Sequence, residues 1–206
     1  MKVALVGGTG KFGKALAVRL REAGYEVIVG SRDPARAAAV ADELGVEGRT
    51  NDDAARAADL VVLATSAEAA LATAEQLREA VGETPVLCVA SELRFTPRGV
   101  LPDAEPMSLA ERVQAVLTAP VVAGLHSLGA RSLGGEAAPE EDALVCGDDE
   151  AAKELALELA GRITRGRAVD AGPLASARAL EGLTAVLVNV NKRYKTHAGV
   201  KLTGLP

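Results

Sequence analysis

After Lys2, the residues Val3 to Val6 are apolar with no polar alternation, the pattern of a strand covered on both faces. Similar runs recur at 26–30, 59–65, 85–89 and 121–125, with shorter ones at 143–146 and near 168. Between them lie helical stretches whose apolar positions fall three and four apart. The spacing predicts helices over 14–23, with Leu16 and Leu20 inward, over 34–44, opened by Pro34 in its first turn, and over 67–81. Further helices are expected from Ser108 to about 117, over 150–162 and, as a long terminal helix, over 173–194. Gly24 closes the first helix, and Ser108 with Glu111 has the spacing of a capping box. Three prolines and a glycine between 93 and 106 predict a loop. Strands alternating with helices imply right-handed crossovers and an α/β, doubly wound parallel sheet. That rhythm holds over 1–125 and changes after His126, so 126–206 reads as a small C-terminal α/β extension.

Composition alters this picture in one respect. The 206 residues are 49% hydrophobic but only 2% aromatic, and the four aromatics are Phe12, Tyr25, Phe95 and Tyr194. The core must therefore be built from Ala, Val and Leu, which suits helices packed closely on a parallel sheet. A charged fraction of 25% and a net charge of −5, with no basic block, exclude a disordered chain and argue against nucleic acid as the main partner. No run reaches the ~18 apolar residues of a membrane span, and the first strand passes straight into a glycine turn, so a soluble cytoplasmic protein is expected. Cys88 and Cys146 lie far apart with no histidine nearby, and read as buried thiols rather than a zinc site or a disulfide.

The chemistry concentrates at strand ends. Gly8-x-Gly10-x-x-Gly13 follows a strand and opens a helix, the context in which this pattern marks a Rossmann-like dinucleotide site. Its glycines allow a tight turn, close approach of backbone to a pyrophosphate and packing of helix on strand, and the phosphates face free N–H groups at the helix N-terminus. The second strand ends in Gly30-Ser31-Arg32, with Arg36 one helical turn on. A hydroxyl and two guanidinium groups suit the 2′-phosphate of NADP(H). In the bland alternative both arginines are solvated and Asp33 holds a ribose diol. Thr65-Ser66 and Ala90-Ser91 end the next two long strands, where small side chains leave room for a nicotinamide ribose. His126, one of two histidines, follows a strand end at the same crevice and could polarise a ring carbonyl, or be an ordinary buried histidine. Asp148-Asp149-Glu150 opens a helix and reads as capping rather than a cation site.

Val3-Ala4-Leu5-Val6-Gly7-Gly8-Thr9-Gly10, Val29-Gly30-Ser31-Arg32, Leu125-His126-Ser127-Leu128 and Asp170-Ala171-Gly172-Pro173-Leu174 together resemble the NADPH-dependent coenzyme F-420 reductases. The segment from Val190 to Gly199 looks like the C-terminus of that family's actinobacterial branch. The resemblance implies hydride transfer between NADPH and the 5-deazaflavin of coenzyme F-420. It places Gly8, Thr9, Gly10, Lys11, Phe12, Ser31, Arg32 and Arg36 on NADP, with Thr65, Ser91 and Ala130 near the nicotinamide. It places His126, Leu128, His197 and Ala198 on the deazaflavin, with His126 orienting and no side chain acting as nucleophile or metal ligand. The family's usual Pro-Trp and Pro-Leu steps read Thr65-Ser66-Ala67 and Ala90-Ser91-Glu92-Leu93 here, which opens the pocket and brings the Glu92 charge toward it. A different acceptor, a flavin or an imine, and a non-catalytic NADPH-binding protein stay open as alternatives. The cations Lys192, Arg193, Lys195 and Lys201 suit a helix C-terminus or, on this resemblance, the anionic tail of F-420. The terminal helix is apolar more than halfway round, which predicts a homodimer.

Overall fold

A computed structural model describes residues 1–205. Its eight-stranded sheet has the order β10-β9-β8-β5-β4-β1-β2-β3. The inner strands are β1 (Lys2–Val6), β2 (Glu26–Ser31), β4 (Leu60–Leu63), β5 (Val86–Cys88) and β8 (Val121–Gly124). All run parallel, and β3 (Glu47–Thr50) closes one edge in parallel with β2. Beyond β8 the sheet continues through β9 (Ala143–Gly147), which pairs antiparallel, to β10 (Ala168–Asp170). The change of rhythm after 125 thus marks the end of β8, and the next strand joins the same sheet.

Why the strands carry no polar alternation is visible in the two cores. Ala4, Val6, Val61 and Leu63 face one of them, and Val3, Leu5, Leu60 and Val62 face the other. Helices α3 (Asn51–Arg56), α4 (Ala67–Val81), α5 (Leu109–Val116) and α8 (Ala177–Tyr194) cover the first face; α1 (Lys11–Glu22), α2 (Pro34–Leu44) and α7 (Glu150–Ile163) cover the second. Fully buried alanines such as Ala37, Ala54 and Ala70 bring helix backbones close to the sheet, as the scarcity of aromatics requires. Each fully buried Leu, such as Leu16, contributes about 2–5 kcal/mol on the scale of truncation to Ala.

The structure departs from the sequence expectations at four places. Residues 93–106 are not all loop: β6 (Leu93–Thr96) and β7 (Gly99–Pro102) form an antiparallel hairpin. Thr96-Pro97-Arg98-Gly99 is its turn, with Gly99 at φ +131, so the proline and glycine mark a reversal and not an unpaired stretch. The first helix begins at Lys11, because Gly10 is already its extended N-cap. The polar segment that forms β3 and α3 has no apolar period to betray it, and the terminal helix is preceded by a 3₁₀ turn at Leu174–Ser176. The Ser108–Glu111 capping box forms with both arms, at 2.7 and 3.2 Å. Asp149 caps α7 through the Ala152 N–H, and Asp148 accepts from Leu174 N–H.

Candidate functional site

At the carboxyl ends of β1, β2 and β4 the chain leaves a cleft of about 330 Å³. Gly7, Thr9, Gly10, Ser31, Arg32 and Arg36 line it, with Asn51, Thr65 and Ser66 opposite. The glycines divide the work. A Cβ on Gly8 would lie 2.7 Å from Leu5 O, and one on Gly13 would lie 2.6 Å from Gly8 Cα, so these two are packed against their own loop. A Cβ on Gly10 would meet only Gly7 O at 3.8 Å; this position faces the cleft. Gly10 caps α1 without a side chain, and the first turn holds no acid. The cleft therefore presents unpaired backbone N–H groups and the positive end of a 12-residue helix, a cradle for an anionic group. Lys11 is exposed and Phe12 packs partly into the core.

The loop after β2 decides what the arginines can do. Asp33 accepts from the N–H groups of Ala35 and Arg36 at 3.0 and 3.3 Å and so caps α2. Ser31 is buried, and its Oγ accepts from Asp33 N–H at 3.1 Å. With the carboxylate held by the helix, Arg32 and Arg36 remain exposed beside the cleft without an acidic partner among the described residues. A neighbouring wider depression at the sheet edge, lined by Arg49 and Arg56, differs on this point: those arginines pair with Glu47 and Asp52 at 2.6 and 2.8 Å.

A second cluster occupies the ends of β5 and β8. Leu125, 1% exposed, takes φ +66, a conformation that costs a non-glycine residue about 1–3 kcal/mol and turns the chain sharply into His126. The His126 ring is 5% exposed, with Nε2 3.3 Å from Ala90 O and Nδ1 without a partner. Burial pulls its pKa down to about 4, so the ring is neutral near pH 7. Its one N–H then sits on Nε2 and is engaged by Ala90 O, which leaves Nδ1 as an acceptor. Ser91 and Thr184 hydroxyls lie 2.9 Å apart, and Thr184 donates to His126 O at 3.0 Å. Since Thr184 has one proton, Ser91 must donate to it, giving a directed chain from Ser91 through Thr184 to His126. Leu128 is buried nearby, and Ala130 begins α6 (Ala130–Leu133). The buried Arg19 of α1 donates to the carbonyls of Leu133, Gly135 and Ala137, fastening the segment after His126 to the helix that the glycine loop opens.

The structure does not bring every expected residue to one place. His197 is exposed and lines a separate depression with Ser132, Pro139 and Glu141. Ala198 N–H is held by Asn191 Oδ1 at 2.6 Å. Buried Asp142 fixes the following residues: it accepts from Leu202 N–H at 2.7 Å, and its own N–H donates to Val200 O at 2.8 Å. The Arg167 guanidinium and backbone N–H hold the Asp142 carboxyl well below the usual carboxylate range.

Comparison with known proteins fits this geometry. Residues 2–91 match the family model described as NADP oxidoreductase, coenzyme F420-dependent. The whole chain aligns at 36% identity with 96% of the F420-dependent NADP reductase of Methanothermobacter thermautotrophicus. The chain belongs to this family. The corresponding reductase of Methanocaldococcus jannaschii is 35% identical over all of this chain and 99% of its own. Among solved structures, a putative F420-dependent NADP reductase from Arthrobacter sp. FB24 superposes with a TM-score of 0.85 at 28% identity, covering 98% of this chain and 99% of that one.

Two residues at the site had escaped the sequence reading. Asn51, 7% exposed, accepts the Gly7 N–H at 3.2 Å and so supports the glycine loop from α3; Gly30 leaves it room, since a Cβ there would lie 2.8 Å from Asn51 Oδ1. Thr184 breaks an apolar run on α8 at a core-facing position, which was the available signal. Glu92, expected to bring its charge toward the pocket, instead pairs with Arg112 of α5. Both thiols are unpaired and buried, and burial raises each to about 12, which makes them inert.

Proposed function

We infer that this protein is an NADP-dependent oxidoreductase that exchanges a hydride between NADPH and coenzyme F420. The observation that carries this is the full-length 36% identity to a reductase of that name. The nicotinamide and the deazaflavin ring supply the hydride chemistry, and the protein binds, orients and excludes water.

The unpaired N–H groups of Lys11 and Phe12, beside the open face of Gly10, suit a pyrophosphate, with Gly8 shaping the turn and Thr9 at its rim. Ser31, Arg32 and Arg36 suit the 2′-phosphate, a reading supported by Asp33, whose Oδ1 is taken up by the N–H groups that open α2 while both arginines stay unpaired. Thr65, whose buried Oγ1 lacks a partner, and Ser91 are assigned to the nicotinamide ribose, and Ala130, at the start of α6, to the nicotinamide. His126 and Leu128 form the wall for the deazaflavin, and the free Nδ1 of His126 would accept a ring N–H and fix its orientation. His197 and Ala198 would close that side from the C-terminal tail; support comes from the position of His197 beside Ser132, two residues beyond Ala130. On this reading 1–125 binds the nucleotide and 126–206 completes the deazaflavin site.

The protein is further proposed to be a homodimer. Leu183, Val186, Leu187 and Val190 form an i, i+3, i+4, i+7 stripe on α8 that is not fully buried, Val186 being 55% exposed. Val186→Glu should give a monomer by light scattering at micromolar concentration. Work in the cytoplasm is proposed from the two free thiols; among the described residues no helix is long and apolar enough to cross a membrane.

Mixing the protein with NADPH and oxidised F420 tests the activity. Loss of the deazaflavin's visible absorbance in step with NADPH oxidation is expected, and no change at protein equimolar with substrate contradicts it. Reduction of a flavin or a pyrroline in place of F420 would move the acceptor and leave the NADPH reading standing.

A further inference from the structure

The β6–β7 hairpin and the last turns of α8 form a surface that hydride transfer does not use. Over 93–102 and 182–206 the chain carries six Lys and Arg and no Asp or Glu, in a protein whose net charge is −5. Arg94 and Arg98 are exposed on the hairpin, and Lys192, Arg193 and Lys195 are exposed at the end of α8. Among the described residues none of these five forms an ion pair, whereas nearby Arg112 and Arg178 pair with Glu92 and Glu181. A helix C-terminus accounts for cations on α8. It does not account for those on the hairpin.

The surface is tied to the site at one end and to itself at the other. Ser91 and Thr184 join the two elements next to His126. Farther out, Asn189 accepts the Val100 N–H at 2.8 Å and donates to Val100 O at 2.6 Å, so the helix side chain stands in for a strand partner. At the outer end the Lys192 ammonium lies 5.5 Å from the centre of the Phe95 ring, which is itself 71% exposed and holds the cation in place. From Thr184 to Lys192 is roughly 12 Å along the helix. From Ser91 to Phe95 is about 13 Å of extended chain. The basic surface therefore begins about that far from the cluster around His126 and leads outward to solvent.

We propose that this surface holds the flexible anionic tail of the deazaflavin, a phosphodiester followed by glutamyl carboxylates. The proposal rests on the F420 reading of the site. A ring seated against His126 must send its tail outward, and unpaired cations without competing acids suit a polyanion of variable length. Each contact is exposed, so each is weak and screened by salt, and affinity comes from their number.

The test compares F420 with its tail-less deazaflavin riboside by equilibrium fluorescence titration. The wild-type protein should bind F420 about tenfold more tightly at low salt, an advantage that shrinks at ~0.5 M salt. In Arg94→Glu/Arg98→Glu/Lys192→Glu that advantage should vanish while riboside affinity is unchanged. Arg94→Gln/Arg98→Gln, confined to exposed side chains, should lose part of it with the thermal transition intact. Equal affinity of the wild type for both compounds overturns the proposal, as does a triple variant that discriminates like the wild type, weakens both ligands alike, or changes only its oligomeric state. Failure of the wild type to bind either compound overturns the F420 reading instead.

Discussion

At the glycine loop the protein leaves the first N–H groups of α1 and two guanidinium groups unpaired, whereas at the ends of β5 and β8 it pairs nearly all of its polar groups. Gly10 faces open space, the first turn of α1 has free N–H groups, and Arg32 and Arg36 have no acid beside them. Around His126, by contrast, Ala90, Ser91 and Thr184 form a closed, directed chain with one free acceptor at Nδ1. On the function proposed above, the difference follows from what each end would receive. A dinucleotide brings phosphates that satisfy the donors on arrival. A ring undergoing hydride transfer needs a wall that is already in place, because misplacement of the reacting carbons is paid in rate.

The largest effect should come from the packed glycines. Gly13→Ala places a methyl 2.6 Å from Gly8 Cα, so loop or helix must shift. Overpacking of this kind costs about 1–3 kcal/mol, and NADPH affinity should fall by up to roughly 150-fold. Retained affinity in a titration would show that the loop's packing does not shape the open end. Arg32→Ala comes next: removing a charge-assisted contact should weaken NADPH by about ten- to a hundredfold and leave NADH unchanged. An equal loss for both nucleotides would break the phosphate reading.

At the closed end the effects are smaller and fall on stability. Thr184→Val strands the Ser91 hydroxyl and His126 O and should cost about 1–2 kcal/mol by denaturant titration. The smallest effect concerns Glu181 of α8, 1% exposed, whose Oε1 accepts the Leu109 N–H at 2.8 Å while Arg178 stands 3.7 Å away. Burial raises this carboxyl from 4.5 to about 7, so its contribution to stability is complete below pH 4.5 and is lost as pH rises through 7. His126 has the opposite sign: lowered from 6.5 to about 4, its contribution is present above pH 6.5 and is lost as pH falls through 4. Glu181→Gln should therefore gain melting temperature relative to wild type between pH 5 and pH 8, by about 2–4 °C per kcal/mol. A gap that does not change with pH would show that Glu181 does not titrate in that range.

How much of this was legible in the sequence differs between the two ends in the same way. The open end is local: Gly8, Gly10, Gly13, Ser31, Arg32 and Arg36 each follow a strand whose apolar run announces it. What escaped there was Asn51, on a polar segment without periodicity, reaching back 44 residues to Gly7. The closed end is assembled from distant parts of the chain, with Ser91 and Thr184 93 residues apart. No spacing rule connects them, and Thr184 on a mostly apolar helix gives only a weak sign. The hairpin at 93–102 was hidden because its prolines and glycine mark a turn as readily as a loop.

The most direct test is a crossed titration of NADPH and of F420 against Arg32→Ala and His126→Ala. With the two ends acting as separate binding regions, Arg32→Ala loses NADPH affinity and keeps F420, while His126→Ala loses F420 affinity and keeps NADPH. Two variants that weaken both ligands alike, or neither, would contradict the account.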